Sequence, residues 1–360
     1  MSGWRALGTF WVVVFLSVGG IAAILQVLGP PPRPVPAARM ATAQPMPAPS
    51  PAPLVAAPLV TATTKSTSPV APRDKVPPLD RPGRGTPGAT ADPEPSLLQA
   101  APTDPSEMLP RISPDGRKPM QAYAAGFDPT SQRPRIGLVV AGIGLNQADS
   151  ERAVHDLPRG VTFAISPYAL GTQQLLTAAR LADHEYLLSI PMEPQSFPLN
   201  DAGPQALMTN LPPEENQVRL YWAMSRIAGY VGVTDALGAL RGERFAGLAD
   251  QMNPVLAQIA QRGLLYVDAR APGADDPPPL PRVWSRAVDL VVDQPESQID
   301  EKLAELEHIA KEKGSALGLA GAPLPVTVQH IAVWASGLMD RGLALAPVSA
   351  LAVPPANEGK

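Results

Sequence analysis

The side chains in this sequence that could do chemistry are few. Glu193, Asp235, Asp268 and Arg270 each follow a short apolar run. In α/β folds ligands sit at the carboxyl ends of such strands, so these four residues could line a cleft that binds a sugar or another polar ligand. The plainer reading is an Asp268–Arg270 ion pair, with Glu193 capping loop amides and Asp235 an orphan carboxylate lacking a base or nucleophile beside it. Ser166 and Ser189 have no histidine in reach that the sequence can identify, so a Ser-His-Asp triad is not arguable. Cysteine is absent, which removes thiolate catalysis, disulfides and Cys-ligated zinc. The four histidines are His155, His184, His308 and His330. Three fall in predicted helices and His184 precedes a strand, so none has metal-ligand spacing, and each reads as a surface or helix-packing residue. Trp222, Trp284 and Trp334 could stack on sugar rings, but their surroundings suit core packing better.

The elements that must position these residues begin at Arg135. Continuous apolar runs suit parallel strands buried on both faces. They predict strands over 136–140, 161–166, 186–190, 231–234, 264–267, 288–292, 316–319 and 343–345. Helices are expected over 146–157, 172–182, 213–228 and 297–313, the last opened by a capping-box-like Ser297-Gln-Ile-Asp300 and closed by Gly314. Alternating strands and helices predict an α/β fold, a distorted β/α barrel or else a doubly wound sheet. Three predicted strand ends carry small apolar residues where polar ones would be needed for chemistry: Ala141-Gly142, Ala236 and Ala322.

Several ordered segments resemble the divergent polysaccharide deacetylase family. They are Ile136-Gly-Leu-Val-Val-Ala-Gly-Ile-Gly144, Val161-Thr-Phe-Ala-Ile-Ser-Pro-Tyr168, His184-Glu-Tyr-Leu-Leu-Ser-Ile-Pro-Met-Glu-Pro194, Gly263-Leu-Leu-Tyr-Val-Asp-Ala-Arg270 and Ala346-Pro-Val-Ser349. The Pro-Met-Glu-Pro block is the most specific. The resemblance implies a distorted β/α barrel over residues 132–353, related to metal-dependent carbohydrate esterases, with a divalent metal as cofactor. It also implies an Asp-Asp pair where this chain has Ala141-Gly142. Its Asn-Asn-His-Met-Gly motif corresponds to Thr234-Asp-Ala-Leu-Gly238, with Ala236 at the His. Its Gly-His-Pro motif corresponds to Gly321-Ala-Pro323, with Ala322 at the His, and a further His corresponds to Ser189. A metal that polarises a carbonyl and lowers the pKa of its water needs imidazole or carboxylate ligands. With those positions emptied, the expectation is no metal site and no cofactor, and a binding or scaffolding role. The alternative is an active metal-dependent deacetylase using an unrecognised site that includes Asp235, Glu193 and Asp268.

The rest of the 360-residue chain differs in kind. Ala6 to Leu28 is uncharged and apolar, long enough to span roughly 30 Å of hydrocarbon. It reads as an uncleaved signal anchor, residues 1–28, placing a single-pass protein in a bacterial inner membrane with its C-terminal domain periplasmic. The alternative is secretion after signal cleavage. Residues 29–131 hold many of the 46 prolines and are expected to be a disordered Pro/Ala-rich linker, with residues 354–360 a tail. The net charge of −4 offers no basic face, so nucleic acid is not an expected partner. The expected partners are the inner membrane through residues 6–28 and a cell-envelope polysaccharide or envelope protein.

Overall fold

The computed structural model describes residues 90–270 and 283–355. Its centre is a parallel sheet built from the apolar runs. β3 (Arg135–Ile143), β4 (Val161–Ile165), β5 (Tyr186–Ser189), β6 (Gly232–Thr234) and β9 (Leu265–Asp268) lie in the order β9-β6-β5-β4-β3, and β12 (Ser315–Ala320) continues beyond β3. β10 (Ser285–Ala287) pairs with β9, and β11 (Leu290–Val291) pairs with β12. Only Val288 and Asp289 separate those two short strands. Val288 N donates to Asp268 O at 2.9 Å and Asp289 N to Leu317 O at 2.8 Å, so one stretch of chain steps across from one sheet edge to the other. β13 (Ala344–Leu345) pairs with the start of β3.

Both faces of the strands are buried, as their unbroken apolar runs require. Leu138, Val140, Phe163, Ile165, Leu188 and Val233 pack with helix residues such as Leu220, Leu256, Ile259, Leu303 and Leu306. The alternate residues Val139, Ala141, Ala164, Leu187, Val267 and Leu319 form a second cluster on the other face. The helices between the strands are α2 (Gln147–Asp156), α3 (Thr172–Leu181), α4 (Pro213–Met224), the single turn α5 (Glu243–Ala246), α6 (Ala249–Gln261), α7 (Ile299–Lys313) and α8 (Pro325–Ser336). This is a parallel α/β sheet consistent with a distorted β/α barrel.

Several expectations need correction. Residues 90–131 are not linker. β1 (Leu98–Ala100) and β2 (Met108–Pro110) form an antiparallel pair, followed by the short helix α1 (Pro119–Ala122). Four of the large side chains in this segment, Leu97, Leu109, Met120 and Tyr123, are buried in the main clusters, while Met108 stays exposed. Composition averaged over the region hides them, because a handful of well-placed apolar side chains can offset local ordering. The strand expected over 288–292 shortens to Leu290–Val291, because Val288 and Asp289 carry the chain from β9 across to β12, and Ser285–Ala287 before it forms a further strand. Helix α4 ends four residues early, at Met224. α6 carries Pro254 inside it, which masked its helical pattern. The Ser297 capping box does not form: a 3-10 turn spans Glu296–Gln298, Gln298 is the N-cap, and no side chain caps the helix. The expected anchor over 1–28, the linker over 29–89 and most of the tail lie outside the described residues. Among the described residues no helix is long and apolar enough to cross a membrane.

Candidate functional site at the carboxyl end of the sheet

The parallel strands all run the same way, so β3, β5, β6, β9, β11 and β12 bring their following residues to one mouth. At the end of β3, Ala141 is fully buried and Gly142 turns at a φ of +72°. After β6 the chain makes a small antiparallel hairpin, β7 (Ala236–Leu237) and β8 (Leu240–Arg241). The hairpin tip, Gly238 and Ala239, lies against both β3 and β12. A Cβ placed on Gly142 would stand 3.2 Å from the Gly321 carbonyl oxygen and 3.3 Å from Gly238 Cα. One on Gly321 would stand 3.2 Å from Ala239 Cα. Backbone thus meets backbone where side chains would otherwise converge, and glycine permits the approach.

Asp293, which follows β11 and was missed by sequence reasoning, caps this contact. Its Oδ2 accepts from Gly321 N at 2.7 Å and Ala322 N at 3.3 Å. Burial raises its ionisation point above the usual carboxylate value. No local motif flags it, because the amides it serves are 28 and 29 residues away.

The expected cleft residues divide into two groups. Asp268 and Arg270 form the ion pair, Arg270 Nε at 2.9 Å and Nη2 at 2.6 Å from the carboxylate, and both side chains are buried. The hydrogen bond to Asp268 raises the guanidinium's ionisation point. Asp235 joins them: its Oδ1 accepts from Ala269 N at 2.8 Å, while among the described residues its Oδ2 has no partner in ordinary hydrogen-bond geometry. Burial, and then the neighbouring Asp268 carboxylate, push Asp235 up to about 7. Tyr266 is also buried, its hydroxyl lies beside Asp235, and burial and the Asp235 and Asp268 carboxylates raise its ionisation point. Glu193 is engaged elsewhere. Its Oε2 accepts from Thr209 N and Oγ1, both at 2.7 Å, and its Oε1 pairs with Arg244 at 2.9 Å.

The remaining candidates stay apart. Ala236 and Ser189 are buried, the Ser189 hydroxyl without a partner, and Ala322 is half-buried. His184 is not at the surface and sits on no helix. It is fully buried at the opposite end of the sheet, its Nδ1 2.9 Å from Val161 O and its ring 4.5 Å from Phe163, and burial lowers its ionisation point. His155, His308 and His330 pair with Asp156, Glu312 and Asp300. Trp222 lies 5.4 Å from Tyr168, under Arg226, and Trp334 Nε1 donates to Glu307 at 2.8 Å. Trp284 is partly buried against the inner cluster.

The divalent metal that the resemblance implies would need imidazole or carboxylate ligands; Ala141, Gly142, Ala236 and Ala322 carry neither, and Glu193 and Asp268 are bound to arginines. Among the described residues no three His, Asp or Glu side chains are grouped to hold a metal. Beside the hairpin lies an open depression of about 410 Å³, lined by Leu145, Tyr168, Asp201, Pro204, Leu237 and Leu240 among others, which is mostly apolar.

Residues 138–352 match the divergent polysaccharide deacetylase family, and the chain belongs to that family. A crystal structure of an uncharacterized protein from Agrobacterium tumefaciens C58 is similar at 32% identity and a TM-score of 0.64, covering 68% of this chain and 99% of that one. A structure of a T48 deacetylase with substrate matches at 14% identity and a TM-score of 0.39, over 64% of this chain and 98% of that one. No curated protein matches the chain.

Proposed function

We propose that this chain is a non-catalytic member of its family, held in the bacterial cell envelope by residues 1–28, with a distorted β/α barrel that binds an envelope polysaccharide or protein. The observation that carries the reading is the packing of Gly142 against Gly238 and Gly321. It brings backbone to 3.2–3.3 Å from where a side chain on Gly142 would begin, at the strand end where a deacetylase would hold its metal-bound water. The neighbouring carboxylates support the same reading, since Glu193 and Asp268 already serve arginines and backbone rather than a reacting group. The periplasmic placement rests on the apolar stretch from Ala6 to Leu28 and on the Pro-rich sequence after it.

The test is elemental analysis of the purified full chain after incubation with zinc, nickel or cobalt, together with acetate release from acetylated glycans and glycan-array binding. The expected result is substoichiometric metal, no acetate above background, and retention on a polysaccharide or capture by an envelope protein. One metal per chain with acetate release would establish the alternative, an active deacetylase with an unrecognised site, and end the non-catalytic reading.

A further inference from the structure

The β7–β8 hairpin covers the mouth at Gly142 and Gly321, and the residue at its root is Asp235. Only 1% of Asp235 is exposed. Ala269 N serves one of its oxygens; among the described residues the other has no partner in ordinary hydrogen-bond geometry, and the Tyr266 hydroxyl is the polar group beside the carboxyl. Such a carboxyl is tolerated when protonated and costly when ionised.

Among the described residues, the charged and titratable groups that bear most on it come from β9: Asp268 and Arg270 at the strand's end and Tyr266 within it. Arg270 favours the Asp235 charge, but less than burial and Asp268 oppose it, because its guanidinium is bound to Asp268. On the other side of β6, β5 contributes Ser189, which carries no charge. On the hairpin, Arg241 bonds Gln294 at 3.4 Å and faces Asp293. Beyond the hairpin, Arg244 pairs with Glu193. Asp268 therefore holds the guanidinium, and buried Asp235 is left with only a weak charge attraction to it.

Asp235 is also tied mechanically to the hairpin. Gly242 N donates to Asp235 O at 3.2 Å, and Ala236 N donates to the Thr234 hydroxyl at 3.2 Å. The pairing of Ala236 with Arg241 begins at the next residue. Displacing residue 235 must therefore displace the hairpin as well.

We propose that Asp235 is a proton-operated latch on this hairpin: protonated, it keeps Ala236–Arg241 seated firmly on Gly142 and Gly321, and ionised, it loosens the hairpin so that it lifts off more often while the seated state still predominates. The inference stands whether or not the mouth is catalytic. The seated state holds its proton up to about pH 7, against a value of 3.8 for a free carboxyl. Seating is therefore complete below about pH 4, weakens as pH rises, and has lost the whole of this contribution by about pH 7, with no further change above. Between those limits the opening constant can rise by up to about tenfold per pH unit.

The experiment is hydrogen–deuterium exchange by mass spectrometry on the full chain at about pH 5 and about pH 7.5, corrected for intrinsic exchange. In the wild type, the opening constant of residues 236–242 is expected to rise at least about tenfold between the two. Asp235→Asn keeps an acceptor for Ala269 N and has no charge to gain, so its hairpin stays protected at both. Asp268→Asn removes the opposing carboxylate, so the rise moves to lower pH. Equal wild-type protection at both pH values would overturn the latch, as would the same rise in Asp235→Asn. Should the Asp235→Asn variant not fold, an unshifted rise in Asp268→Asn overturns it alone.

Discussion

Replacing Gly142 by alanine isolates the contact on which the non-catalytic reading depends. Two costs are expected. An alanine at a φ of +72° sits in the left-handed region, at about 1 kcal/mol. Its Cβ also meets the Gly321 oxygen at 3.2 Å and Gly238 Cα at 3.3 Å. Both are backbone atoms that cannot rotate aside, so two loops must shift, at about 1–3 kcal/mol by analogy with overpacked cores. Gly142→Ala should therefore cost about 2–4 kcal/mol. Gly116 provides the control, because it has a φ of +86° with nothing within 4 Å of an added Cβ. Gly116→Ala should show the conformational cost alone, about 1 kcal/mol or less. Gly238→Ala, at a φ of +61° and meeting chiefly the Leu145 side chain at 3.3 Å, should fall nearer to Gly116→Ala, since that leucine can move. The assay is denaturant unfolding of the three variants, compared by midpoint at constant slope. Equal losses for Gly142→Ala and Gly116→Ala would refute the claim that the mouth is filled by close backbone packing.

Three other outcomes are expected. Gly142→Asp combined with Ala236→His and Ala322→His should gain no affinity for a divalent metal by calorimetric titration, because the aspartate must first displace Gly238 and Gly321. A gain with the fold intact would show that the mouth opens readily. A chain beginning at residue 132 should be less stable than one beginning at residue 90 by more than about 5 kcal/mol, since it loses the buried Leu97, Leu109, Met120 and Tyr123, at about 1.5–3 kcal/mol for each large apolar side chain. Equal unfolding midpoints would return residues 90–131 to the linker. Glu185→Ala should cost about 3 kcal/mol or more in chemical unfolding. The buried Glu185 carboxylate accepts from Ser349 N at 2.8 Å, Ala125 N at 3.1 Å and Thr162 Oγ1 at 3.2 Å, so it ties three distant segments together. A loss under about 1 kcal/mol would mean that it is not a structural tie.

Sequence alone placed the central parallel strands β3, β4, β5, β6, β9 and β12 and most of the flanking helices, but not the short pairs β1–β2 and β7–β8 or strand β10. Runs such as Ile136–Val140 and Tyr186–Ile190 need burial on both faces, and that requirement is local: every residue in the run carries part of it. The family was legible for the same reason, since its segments keep their order along the chain. The Asp268–Arg270 pair was also within reach, because two residues that follow one strand at a spacing of two can meet through their own side chains. Tertiary structure decided what depends on approach between distant segments. That Gly142, Gly238 and Gly321 touch follows from strand order, which brings the ends of β3, β6 and β12 to one mouth, and no single glycine announces it. Asp293 found its role only when β11 paired with β12 and set its carboxylate beneath the amides of Gly321 and Ala322. Residues 90–131 looked like linker because they hold as many prolines as large apolar residues, yet Leu97 and Tyr123 each found a place in the core. Asp235 was visible as a lone carboxylate. Its isolation from water, and the second carboxylate that opposes its charge, exist only once β6 and β9 lie side by side.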